Sequence, residues 1–137
     1  MKKQKGYSLA ELLTVVLIAL VLAVIALSLM RGRVDSAKWS EGKARAGMIA
    51  TAIRAWNAGH NIAGSWTNAP GSLDAGTLGF QENDLKGKYF DKSNFTWQVD
   101  YDGENLSYVI TITKPVMSWK PDQMVLDNAK WIIPSGI

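Results

Sequence analysis

The chain has 137 residues, no cysteine and a formal charge of +3, with Lys2, Lys3 and Lys5 crowded at its start. That length holds one domain and is short for two, and the missing cysteines exclude a disulfide framework, cysteine zinc ligands and a thiol nucleophile. The excess basicity sits beside an apolar stretch, and no basic stripe with interleaved aromatics follows it, so nucleic acid is not an expected partner.

The basic head, Lys2-Lys3-Gln4-Lys5, ends at Gly6 and leads into Tyr7-Ser8-Leu9-Ala10-Glu11. From Leu12 to Met30 no charge occurs. This is roughly the 20 apolar residues that cross a bilayer at about 1.5 Å each. Leu12, Leu13, Val16, Leu20 and Ile25 are the candidate transmembrane core positions. A plain signal anchor would use the lysines to keep the N-terminus inside, although Arg31 and Arg33 at the far end weaken that bias. A cleaved secretory signal finds small residues at Ala26-Leu27-Ser28. Its apolar core should span only about 7–15 residues, and an acid at Glu11 gives it nothing.

A third reading accounts for that acid. Gly6, Tyr7 and Glu11, completed by Ser8, Leu9 and Leu12-Leu13, resemble the N-terminal pattern of type IV pilins and type II secretion pseudopilins. The resemblance implies a leader cut after Gly6 by a prepilin peptidase, methylation of the new amine on Tyr7, and a role for Glu11 in assembly. Most members carry Phe where this chain has Tyr7, and its apolar run lacks the Pro that often kinks the family's helix. The physics agrees. A carboxylate in hydrocarbon costs about 2.5–3.5 kcal/mol and needs a partner. The Tyr7 amine could supply one at i, i+4 on the same helix, or from a neighbouring subunit. The plainer alternative is a Glu11 side chain near the interface that reaches water.

Further along, Ala46, Ile49, Ile53 and Trp56 recur at helical steps, Trp39 is in phase, and Lys43, Arg45 and Arg54 lie off that face. One long helix is expected from about Tyr7 to Asn57, weakened by up to about 1 kcal/mol at each of Gly32, Gly42 and Gly47. Trp39 and Trp56 are read as core. Gly59 to Gly79 is turn-rich and is expected to be a surface loop with little regular structure. The lone His60 has no second ligand nearby, so no metal or catalytic role follows. Gln81 to Phe90 suggests a short helical turn with Tyr89 and Phe90 as core anchors. Phe95, Trp97, Val99 and Tyr101 alternate with polar residues, as do Leu106, Tyr108, Ile110 and Ile112, with Asp102-Gly103 as the hairpin turn between them. Met124–Leu126 and Trp131–Ile133 read as two more strands, and Pro115 and Pro121 bracket the loop before them.

The expected fold is therefore α+β, a long N-terminal helix packed on a small antiparallel sheet. Its organisation is a leader over 1–6, a transmembrane and filament-core helix over 7–30, and an amphipathic half-helix plus globular head over 31–137. No nucleophile–base pattern, glycine-rich phosphate loop or HExxH occurs, so neither an enzyme nor a cofactor is expected. Asp100, Asp102 and Glu104 are spaced like the start of a calcium loop, and some pseudopilins bind calcium in their heads. Gly103 comes too early, however, and no distal bidentate Glu follows, which favours a solvated hairpin tip. The expected function is a structural subunit of a type IV pilus-like filament or secretion pseudopilus. Its partners would be further subunits, the prepilin peptidase, an inner-membrane assembly platform and, before assembly, membrane lipid. The head would face outward from the inner membrane, and the assembled filament would be periplasmic or at the cell surface. Many pilins close the head with a disulfide, so the missing cysteines tilt towards a pseudopilin or minor pilin. The alternative is a membrane-anchored extracytoplasmic binding domain that does not polymerise.

Overall fold

The computed structural model describes residues 6, 8–115 and 121–133. The chain falls into two compact units, Met1–Ser36 and Ala37–Ile137. One α-helix, α1, runs from Leu9 to His60 and contributes to both. It begins at Leu9 rather than Tyr7 because Ser8 caps it, and it ends at His60 rather than Asn57. Asn61 closes it in the left-handed conformation (φ 49), with its N–H on the Asn57 carbonyl at 2.8 Å.

From Leu12 to Met30 α1 carries no charge on any side, so no face is distinguished for packing. Within the second unit it turns amphipathic. Trp39, Ala46, Ile49, Ala50 and Ile53 recur at helical spacing and are fully buried, while Lys43 and Arg54 stay exposed.

That buried stripe meets a five-stranded antiparallel sheet whose order follows the sequence. The strands are β1 (Gly64–Thr67), β2 (Phe95–Tyr101), β3 (Leu106–Thr113), β4 (Gln123–Asp127) and β5 (Lys130–Ile132). Alternation puts Phe95, Trp97 and Val99 of β2 inward, facing the helix with Tyr108, Ile110 and Ile112 of β3 and Met124 and Leu126 of β4. Each such side chain fully buried contributes about 1.5–3 kcal/mol. The buried Trp97 indole is satisfied, its Nε1–H donating to the Leu73 carbonyl at 2.8 Å. The α+β architecture is as expected.

Two local expectations need correction. The Gly59–Gly79 segment is not without regular structure, because β1 lies in it and pairs with β2 from Gly64↔Tyr101 to Thr67↔Gln98. This edge strand sends a single bulky side chain, Trp66, towards the core, too little to register as alternation. Gly64 is needed there, since a Cβ would stand 2.9 Å from the Trp66 ring. The second correction concerns Gln81–Phe90, which is a run of turns rather than a helical turn. Asp84 and Lys86 donate back to the Gln81 and Asn83 carbonyls. A 3₁₀ turn follows at Lys92–Asn94, closed by a capping box from Asp91. Phe90 is a core anchor as expected, and Tyr89 packs half-buried beside it.

Helix and loops are held together by polar clamps as well as apolar packing. The Glu41 carboxylate accepts from the backbone N–H groups of Tyr89 (3.1 Å) and Phe90 (3.3 Å). Arg45 donates to the Asp84 carbonyl at 2.8 Å. Tyr101 places its hydroxyl 2.6 Å from Asn61 Oδ1, which ties the end of α1 to the β2–β3 hairpin.

Candidate functional site

The candidate site is the first unit, built from Gly6, Ser8 and the N-terminal part of α1. Every large apolar residue from Leu9 to Met30 is exposed, from 86 % at Leu9 down to 49 % at Leu12. Leu13, Val16, Leu20 and Ile25 are among them. This is the one helix long and apolar enough to cross a membrane among the described residues, and its apolar window is wholly unburied within the chain. Side chains of this kind left in water would forfeit about 25 cal/mol per Å², so the surface calls for lipid or protein around it.

Glu11 stands in the first turn of this helix. Its Oε2 accepts from the Ser8 backbone N–H at 3.3 Å, and its own N–H donates to Ser8 Oγ at 3.2 Å. The two residues form a reciprocal capping box that satisfies donors otherwise orphaned at the helix start. Its Ser-x-x-Glu spacing stands in the sequence immediately before the apolar run, so Ser8 is a site residue that the pattern itself could have disclosed. Just beyond, the Thr14 hydroxyl is turned back onto the Ala10 carbonyl at 2.8 Å, hiding its polar group. Gly6 is exposed with open space around it. Tyr7, with Lys2, Lys3 and Lys5, lies outside the described residues.

The hairpin acids are spread over separate tasks. Asp100 accepts from the Ser65 hydroxyl of β1. Asp102 turns inward on its own four-residue loop, accepting from the backbone N–H groups of Asn105 (2.6 Å) and Glu104 (2.8 Å). Those bonds, Asn105 first, hold its carboxyl below the usual aspartate range. Glu104 is exposed. Among the described residues no group of three metal-ligating acids, histidines or cysteines gathers. His60 is spent locally as well, its Nδ1 on the Trp56 carbonyl at 2.9 Å and its ring stacked on Trp56. Trp66 meets the same Trp56 edge-on, so these aromatics form a packed corner rather than an open platform. A groove of ≈ 530 Å³ runs past Asn68, Lys86, Asp91 and Lys92 over Phe95 and Trp97. Its Asp91 is committed to Ser93, whose hydroxyl and N–H keep that carboxyl ionised to lower pH than usual.

The comparisons fall on the same segment as the exposed helix. The family model for the prokaryotic N-terminal methylation motif matches residues 1–27, and that motif is the type IV pilin and pseudopilin signature. The N-terminal segment of the chain is therefore similar to that of type IV pilins and pseudopilins. No curated protein and no solved structure matches the chain.

Proposed function

We propose that this chain is a structural subunit of a type IV pilus-like filament or secretion pseudopilus, with no catalytic role of its own. One observation carries the reading. The methylation motif runs without a break into a helix whose large apolar side chains, Leu9 to Met30, find no cover among the described residues. A lone tether would need that surface only for lipid; a polymer uses it twice, first in the bilayer and then against other subunits.

In this reading residues 1–6 are the leader, removed by a prepilin peptidase after Gly6. The new amine on Tyr7 is methylated and carries a positive charge close to Glu11. Glu11 pairs with that amine, on its own helix or on the neighbour's, and a subunit docked out of register leaves both charges unpaired in an apolar surrounding. Residues 7–30 sit in the inner membrane and then in the filament core, and residues 31–137 stand on the extracytoplasmic side. Partners are further subunits, the peptidase, an assembly platform in the inner membrane and, before assembly, lipid.

The test is mass spectrometry of the N-terminal peptide from protein recovered from its native membrane, paired with Glu11→Ala. A chain starting at Tyr7 with a methylated amine, together with membrane-retained but unassembled Glu11→Ala protein, is the expected result. A start at Met1 would identify a simple anchor, and a start at Leu29 a secreted domain. Normal filaments from Glu11→Ala would remove the role given to that carboxylate.

A further inference from the structure

Six cations lie on α1, and four of them are engaged by the second unit. Lys38 lies over the Tyr89 ring at 5.7 Å, Lys43 over Trp131 at 5.6 Å and Arg54 over Tyr108 at 5.8 Å. Arg45 donates to the Asp84 carbonyl. Arg31 and Arg33 differ. Both are exposed, and among the described residues neither has a carboxylate, carbonyl or ring partner for its guanidinium. Asp35 stands at i+4 from Arg31, yet the ion pair found among the described residues is Lys114–Asp122.

Their position supplies the missing partner. Arg31 follows Met30 directly, at the end of an uncharged run of roughly 20 residues, about 30 Å of helix and the thickness of a bilayer's hydrocarbon core. A helix spanning that core places the two guanidinium groups among the lipid phosphates of one face. A planar fork of donors matches phosphate oxygens better than an ammonium would, and the long stems can lie along apolar surface while the heads reach outward. We propose that Arg31 and Arg33 bind lipid phosphates and thereby set the depth at which the helix sits. This rests on the membrane-anchored reading above.

The depth matters for Glu11. It precedes Arg31 by about 20 residues, about 30 Å along the axis. With the arginines fixed at one phosphate layer, the Ser8–Glu11 cap lies at the opposite hydrocarbon boundary. Without them, the first charge beyond Met30 is Asp35, about one helical turn further on, and the apolar band from Leu9 to Met30 is free to slide or tilt by that much. A carboxylate of a second copy is the competing partner; adjacency to the hydrocarbon edge favours phosphate.

The chain has no cysteine, so Ser28→Cys carries a spin label without competition. Full-length protein would be reconstituted in phosphatidylcholine–phosphatidylglycerol vesicles, and label depth read from relative exposure to oxygen and a nickel chelate. Dephasing of arginine Cζ by ³¹P would be measured on the same samples. Arg31→Gln/Arg33→Gln is expected to move the label by about one helical turn, about 5 Å, and to remove most of the ³¹P dephasing. Added inorganic phosphate should change neither reading, since the partner is the headgroup. Vesicle flotation separates the two ideas. Protein that fails to float with lipid overturns the membrane reading itself. Protein that floats with the same depth and dephasing in both forms, or whose Arg31 crosslinks to a second copy in place of a ³¹P contact, overturns the phosphate assignment.

Discussion

Gly42 lies on the buried side of α1, and replacing it with alanine tests how tightly the head is packed. A methyl group there would approach Phe90 Cε2 and Cζ to 3.1 Å and Ile112 Cγ2 to 3.4 Å. Ordinary carbon contacts are about 3.5–4.0 Å. Phe90 cannot retreat easily. It is 2 % exposed, its ring centroid stands 5.3 Å from that of Trp39 and 6.1 Å from that of Phe95, and Glu41 holds its backbone N–H. Overpacking of this kind costs about 1–3 kcal/mol, while alanine returns about 1 kcal/mol of helix propensity over glycine. The net expectation is a loss of about 1 kcal/mol. Gly47→Ala is the control on the same helix, because its new methyl meets nothing within 4 Å. It should gain about 1 kcal/mol from propensity alone. The two variants should therefore melt roughly 10 °C apart, at about 4–8 °C per kcal/mol for a domain of this size. Near-UV circular dichroism of the six tryptophans in detergent-solubilised full-length protein would follow the transition. Equal melting temperatures for the two variants would show that Phe90 is not wedged against the helix, and the packing argument would fail.

Three further outcomes are expected. Ser8→Ala should open the first turn of α1 by about 1 kcal/mol, raising amide exchange at Leu9–Glu11 roughly fivefold, with Ser8→Thr restoring protection; unchanged exchange would deny the capping box a role. Glu41→Ala leaves the Tyr89 and Phe90 N–H groups without their acceptor and should cost about 1–3 kcal/mol, whereas Glu41→Gln keeps an acceptor oxygen and should cost less; equal urea midpoints would refute the clamp. The carboxyls of Asp74, Asp91 and Asp102 all titrate below the ordinary aspartate value: Asp74 through the Thr77 N–H and hydroxyl, Asp91 through the Ser93 hydroxyl, Asp102 through the Asn105 N–H. Because the folded values are the lower ones, the stability these groups add is complete above about pH 4 and is lost as pH falls through the folded values. Asp102→Asn should accordingly flatten the acid limb of a stability–pH curve while leaving its slope above pH 5 unchanged; an acid limb as steep as the parent's would contradict the assigned bonds.

The long helix and the central hairpin are legible in the sequence because each buries many side chains on one repeating face. Ile49, Ile53 and Trp39 mark the helical stripe, and Phe95 to Val99 and Tyr108 to Ile112 mark the strands. What escapes the pattern has no period to show. β1 rests on Trp66 alone, and the excursion from Asn68 to Asn94 folds through individual contacts. Leu73 takes the Trp97 indole bond, Leu85 is buried between turns, and Asp74 caps Thr77. The candidate site behaves differently. Its apolar run and its acid are plain in one dimension, and so is the Ser8 spacing. That Arg31 and Arg33 differ from the other helix cations emerges only once the partners of Lys38, Lys43, Arg45 and Arg54 are known.

The order of the sheet bears on how the head forms. The strands pair in sequence order, and from β2 onward none waits for a distant partner, a local topology of the kind that folds quickly. β2 to β5 can zip up as successive hairpins, each on a timescale of about 1–10 μs. β1 is the exception, since the whole Asn68–Asn94 excursion must close before it reaches β2, at an entropic cost that grows with the logarithm of loop length. A chain threaded across a membrane and released stepwise would therefore hold a growing sheet throughout, completed when β5 emerges, and with no oxidation of cysteines to await.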